Sequence, residues 1–213
     1  MSAVAELARV VGWDGASYAV TDWDVVHQGL GFELPEEYLE LHRVFPPGEF
    51  WSPSGDGVIV QPPYRVDGVP VLQRQFRVEL DELRQWRDEH PEDVPDAVFP
   101  EPGGLVPWAR GSRPVLLWDP SAWTVVVSSG GIWRFDDDHP VLERFAMSAV
   151  EFLVGYLTGD IRSVLLDPEP GPGGQPRFRP LPSDEWERMS AVRGPTVRKI
   201  SLRGTTSSRF PRP

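Results

Sequence analysis

The sequence predicts an α+β fold: one domain with a small, twisted, mainly antiparallel sheet framed by helices, followed by a Pro/Gly-rich C-terminal extension. Three observations predict it. The stretch from Phe99 to Phe135 holds four short apolar runs, Leu105 to Ala109, Pro114 to Trp118, Thr124 to Ser128 and Ile132 to Phe135, with turn residues between them. Short Val- and Trp-rich runs punctuated in this way read as an antiparallel meander. On both sides of it the apolar residues fall at helical spacing. From Asp167 onward the composition shifts to Pro, Gly and basic residues, which sets a boundary between a domain at 1–167 and an extension at 168–213.

Ser2 to Val11 is the first helix, with Val4, Leu7, Ala8 and Val11 on one face. Thr21 is placed to cap a helix over Asp22 to Gly29, whose first turn holds Asp22 and Asp24. Leu34-Pro35-Glu36-Glu37 opens the next helix. Proline suits its first turn, the two glutamates suit the positive end of its dipole, and Tyr38, Leu41 and Phe45 form its apolar face. Pro46-Pro47-Gly48 stops it. The stretch from Phe50 to Val78 reads as strands and loops, with Val58 to Val60 the clearest strand and Pro62-Pro63 its end. Glu79 to His90 returns to helical spacing through Leu80, Leu83 and Trp86. After the meander, Met147 to Leu157 is a helix with Ser148 and Glu151 spaced as a capping box and Gly159 as its C-terminal stop. In the extension, DPEPGPGGQPRFRPLP has too much Pro and Gly for regular structure. Ser183-Asp184-Glu185-Trp186 starts one short helix to about Ala191, and a basic, Ser/Thr-rich end follows, expected to be partly disordered.

The chain of 213 residues has a formal net charge of −11, and that charge is unevenly placed. Residues 1–167 hold 28 Asp and Glu against 12 Arg, a net of −16; residues 168–213 hold 4 against 9 basic residues, a net of +5. An acidic body repels nucleic acid and anionic membranes and attracts basic partners. With no Cys, disulfides and Cys-based metal sites are excluded. No apolar run approaches the length of a membrane span, and the N-terminal stretch reads as a short helix rather than a signal peptide, so the expected location is the cytoplasm.

A search for chemistry returns little. His27, His42, His90 and His139 share no metal-ligand spacing; His42 and His90 fall near helix C-termini, where a protonated imidazole is favoured. Asp136-Asp137-Asp138-His139 is the densest acidic cluster. It lacks the spacing, Gly and distal Glu of an EF-hand, and reads either as a solvated turn or as a contact patch for a basic partner. Ser128-Ser129-Gly130-Gly131 matches neither a nucleophile elbow nor a phosphate loop and reads as a hairpin turn. Glu36 and Glu37 are explained by the helix dipole rather than by acid–base catalysis. Of the nine Trp, Trp118, Trp123 and Trp133 alternate along the meander between core and solvent faces, so an exposed one among them is a natural interface anchor. The expectation is a binding protein with no catalytic residues and no cofactor or metal.

Four features in order resemble the SUKH superfamily of bacterial immunity proteins, which also includes the fungal Smi/Knr-type regulators. They are Trp23 leading to Leu30-Gly31 and Leu34-Pro35-Glu36-Glu37-Tyr38; the Pro47-Gly48 turn into a strand ending at Val60; Phe99-Pro-Glu-Pro-Gly103-Gly104-Leu105 with Pro107-Trp108; and Trp118, a Val-rich strand, Trp133 and the Phe152-Leu153 helix. The resemblance spans about residues 20–160 and leaves out the basic extension. The family's Gly-rich turn after the second helix is reduced here to Pro46-Pro47-Gly48. The resemblance implies an α+β fold in which Trp23, Gly31, Leu34, Pro35, Tyr38, Gly103, Gly104, Trp108 and Trp118 are structural. It also implies a non-enzymatic role: binding and neutralising a basic toxin, nucleases being one class, with no direct contact to nucleic acid. Asp136, Asp137, Asp138, Trp123 and Trp133 are the candidate contacts. The Smi/Knr branch implies instead a regulatory scaffold with an endogenous partner.

Overall fold

The computed structural model describes residues 1–55, 57–66, 69–70, 72–129, 140–166 and 174–191. Helices α1 (Ala3–Val11), α2 (Trp23–Leu30) and α3 (Glu36–Val44) precede a hairpin of β1 (Gly48–Trp51) and β2 (Gly57–Val60). A short pair, β3 (Arg65–Val66) and β4 (Val69–Pro70), leads to α4 (Leu72–Gln75) and α5 (Arg77–Glu89). The meander is β5 (Val106–Arg110), β6 (Val115–Asp119), β7 (Thr124–Ser128) and β8 (Leu142–Phe145), followed by α6 (Ala149–Thr158), β9 (Arg177–Pro180) and α7 (Ser183–Ser190).

The main sheet runs in the order β8-β7-β6-β5-β2-β1-β9, with every neighbouring pair antiparallel. Its two halves, the β1–β2 hairpin and the meander, are joined where Ile59 and Val60 pair with Arg110 and Ala109. The central strands β5, β6 and β7 are buried on both faces over most of their length. That is why they read as continuous apolar runs rather than an alternating pattern. Helix α6 lies against the sheet and is buried nearly all round, from Ala149 through Leu157.

Caps fix the helix ends. Ser148 and Glu151 form the expected capping box on α6. Glu37 completes it from another helix: its carboxylate accepts from the Ser148 hydroxyl at 2.8 Å and from the Val150 amide at 2.9 Å. Glu37 therefore sits in the first turn of α3 and on the positive end of α6 at once, tying the two helices together. At α2 the cap is Asp22, whose side chain accepts from the Val25 amide, so the expected Thr21 cap is off by one residue. Aspartate is the stronger cap of the two, which decides the position.

The structure departs from the sequence reading in three further places. The fourth meander strand was expected at Ile132 to Phe135. Those residues lie outside the described ones, and the strand that pairs with β7 is β8 at Leu142–Phe145. Helix α4 falls within the stretch read as strands and loops. The extension also contributes regular structure, correcting the expectation that its Pro and Gly forbid it. Strand β9 pairs with β1 over four residues, from Gly48 with Pro180 to Trp51 with Arg177. The physical reason is alternation: Phe178 enters the aromatic cluster while Arg177 and Arg179 point outward over Trp51, at 5.2 and 5.5 Å from its ring centre. Phe178 packs against Trp13, Phe45 and Phe50 at 5.0, 5.0 and 4.7 Å between ring centres. Pro180 is tolerated because β9 is an edge strand. Helix α7 follows as expected and buries Trp186.

Candidate partner-binding groove

Trp123 ends the tight turn between β6 and β7. The turn is built on Asp119, whose carboxylate accepts from both the amide and the hydroxyl of Ser121, at 2.9 and 2.6 Å. Those two bonds, together with the nearby Arg144 guanidinium, hold the Asp119 carboxyl below the usual range for an aspartate. The chain then leaves the turn with Trp123 at φ +54°, the only non-glycine residue with positive φ among the described residues. A hairpin of this shape normally puts Gly at its left-handed position. A bulky residue there costs about 1–2 kcal/mol.

The half-buried ring of Trp123 forms one wall of a groove of about 370 Å³. Phe32, from the α2–α3 connection, lies 6.1 Å from Trp123 and 5.9 Å from Phe99, edge-on to the latter. The opposite wall is the loop from Phe99 to Gly104. Three of its four backbone donors are engaged: the Phe99 amide donates to the Leu105 carbonyl, Glu101 to Val98, and Gly104 to Glu101. Pro100, Pro102 and Pro120 add three lining residues with no amide to donate. Glu101 stands on the rim and pairs with Arg87 at 2.9 Å, while Arg84 donates to the Phe99 carbonyl from behind the wall. Gln73 is the remaining polar side chain of the lining.

Beneath the groove the residues that carry the resemblance form one aromatic ladder. Trp123 meets Trp118 at 5.6 Å; Trp118 stacks on Trp108 at 5.7 Å and meets Tyr38 edge-on at 4.8 Å; Tyr38 reaches Trp23 at 6.2 Å. Trp108, Trp118 and Tyr38 are fully buried and Leu34 is buried too, while Trp23 is half-buried. The Tyr38 hydroxyl donates to the Gln61 carbonyl at 3.1 Å. Gly31 and Gly103 have φ of +81° and +71°, and Pro35 is the residue that precedes α3 as its cap. At Gly104 a Cβ would stand 2.6 Å from the Val98 carbonyl carbon and 2.7 Å from the Phe99 amide nitrogen, so only glycine closes the loop.

His42 lies on the same ladder, 4.5 Å from Tyr38 and 5.8 Å from Trp23. It is fully buried, and neither of its nitrogens has a hydrogen-bond partner among the described residues. Burial pushes its pKa down to about 3, so it is neutral. The sequence expectation of a protonated imidazole favoured by the helix C-terminus is thereby corrected, because desolvation outweighs the dipole.

Of the candidate contacts, Trp123 alone is placed by the described residues. Asp136, Asp137, Asp138 and Trp133 lie outside them. Phe32 and Pro120 are not singled out in the sequence, and Phe99 enters there only as the start of a motif, because nothing in their spacing announces that three separate connections converge. Among the described residues no group of His, Asp and Glu is arranged to hold a metal, and no helix is long and apolar enough to cross a membrane. Comparison with protein-family models, with curated proteins and with solved structures finds no match.

Proposed function

We propose that this chain is a non-enzymatic immunity protein of the SUKH type that binds and neutralises a basic toxin protein, nucleases being the leading class. The observation that carries the reading is Trp123, a large half-buried aromatic held in a costly backbone conformation beside an aromatic groove, on a body with a strong negative charge. Backbone strain of this kind is the observation from which a functional hypothesis is drawn. Aromatic anchors are the residues that dominate protein interfaces. The acidic charge suits a partner whose own surface is basic because it holds nucleic acid. Charge complementarity raises the association rate, which serves an inhibitor that must act before damage is done. Asp136, Asp137 and Asp138 supply a charged contact patch, with Trp133 as a second anchor. The mechanism is occlusion of the toxin's substrate-binding surface.

The test is coexpression of the full chain with a panel of basic nuclease toxin domains, read as growth rescue and as isolation of a stoichiometric complex. The expected result is rescue from one toxin or a narrow group, through a complex weakened by salt. Failure to rescue from, or form a complex with, any member contradicts the reading. Charge reversal of Asp136, Asp137 and Asp138 to Lys is expected to slow association at least tenfold at low salt and to flatten its salt dependence. Unchanged binding removes that patch from the interface.

A further inference from the structure

We infer that the Trp123 groove takes a basic, proline-containing segment of the partner protein in the extended polyproline II conformation. This rests on the partner-binding reading and names the chemistry that the groove recognises. Three features select this occupant over the alternatives. The first is the lining, three aromatic rings from three separate connections with prolines beside them. Polyproline segments dock on aromatic-lined grooves of this kind. The second is the shortage of backbone donors in the Phe99–Gly104 wall, where Pro100 and Pro102 have no amide. Of its four amides, three donate to the loop or its flanks, at 3.1 Å for Phe99, 3.1 Å for Glu101 and 2.9 Å for Gly104, which leaves that of Gly103. Strand addition and phosphate binding both need several free backbone amides in a row or converging, and one does not suffice. A polyproline II segment needs none, because it has no internal hydrogen bonds and its carbonyls accept from side chains. The side-chain donors in the lining are the Trp123 indole and the Gln73 amide.

The third feature is charge. Glu101 is the one ionisable side chain of the lining, and the chain carries a net −11. A Lys or Arg beside the prolines of the partner would face Glu101, in competition with its present partner Arg87. The volume agrees as well. About 370 Å³ lies at the small end of ligand clefts, enough for a few side chains of an extended segment and too little for a helix.

The experiment uses the full 15N-labelled chain and a synthetic peptide, acetyl-Pro-Pro-Arg-Pro-Leu-Pro-Pro-Arg-amide. Two controls accompany it: the same peptide with Gly for every Pro, and with Glu for every Arg. The readout is the shift of the Trp123 indole and of the Gly103 and Gly104 amides. The expected result is saturable shifts at these three residues, weakened by salt, with each control binding at least tenfold more weakly. Trp123→Gly, which removes the ring and suits the turn, is expected to abolish binding while the remaining spectrum stays folded. Phe32→Ala is the second variant, expected to weaken binding at least fivefold. No shift at these residues overturns the proposal, as does equal binding of either control. If the peptide fails while the chain still rescues growth from a toxin, the groove assignment falls and the immunity reading stands. If the peptide binds and no toxin is neutralised, the reverse holds.

Discussion

Two turns border the same groove and meet the same backbone demand in opposite ways. Gly103 takes φ +71° in the Phe99–Gly104 loop, and Trp123 takes φ +54° at the end of the β6–β7 turn. A Cβ at Gly103 would meet nothing within 4 Å, so glycine is there for its backbone freedom alone. At Trp123 the same conformation carries the largest side chain available. A turn that had only to reverse the chain would use glycine at both places. The contrast separates a residue placed for its backbone freedom from one whose ring, packed on Trp118 and Phe32 at the groove, is kept at a backbone cost.

The largest effect that bears on this comparison is pH, which sets where it can be measured. His42 has a folded pKa of about 3 against an ordinary 6.5. Above pH 6.5 the imidazole is neutral in both states and its burial costs nothing through protonation. As pH falls from 6.5 toward 3 the unfolded chain takes up a proton that the folded chain refuses. Stability is then lost at roughly 1 kcal/mol per pH unit. Urea titrations between pH 7.5 and 4.5 are expected to show this slope, and His42→Leu to remove most of it. An unchanged slope in the variant would place the proton elsewhere. The turns are therefore best compared above pH 7.

Gly104→Ala comes next. Its Cβ meets backbone atoms that cannot turn aside, and the expected cost is about 3 kcal/mol by urea unfolding. Gly103→Ala meets open space and pays only for φ, so its expected cost is about 1 kcal/mol. If the two variants cost the same, the loop relaxes around position 104 and the close approach there is not what fixes glycine.

Much of the fold is legible in the sequence because local signals agree with the packing. The capping box at Ser148 and Glu151, the helix spacing around Leu80 and Leu83, and the Val-rich run of β7 each state their structure within a few residues. What is not legible depends on residues far apart. Strand β9 is four residues bracketed by proline, and Phe178 is drawn into place by Trp13, Phe45 and Phe50, more than a hundred positions earlier. Composition argued for a loop, and tertiary packing decided otherwise. The alternation of Arg177, Phe178 and Arg179 was the one local signal for it.

The groove divides in the same way. Trp123 stands out as an aromatic in a hairpin turn, and Gly103-Gly104 as a turn. That Phe32 would bring them together is a consequence of how α2 ends at Gly31, which no short-range pattern states. The neutral, unpartnered His42 was hidden for the opposite reason. Its sequence position at a helix end suggested a charge, while the aromatic ladder around it excludes one.

The measurement that tests the central claim most directly is the stability of Trp123→Gly and Trp123→Ala beside the natural chain, by urea unfolding above pH 7. If Trp123 is held at a cost for binding, glycine relieves the strain and alanine keeps it. The glycine variant should then be about 1 kcal/mol more stable than the alanine variant, with the loss of the ring's packing common to both. If alanine is instead as stable as glycine, position 123 carries no backbone cost and the account is wrong.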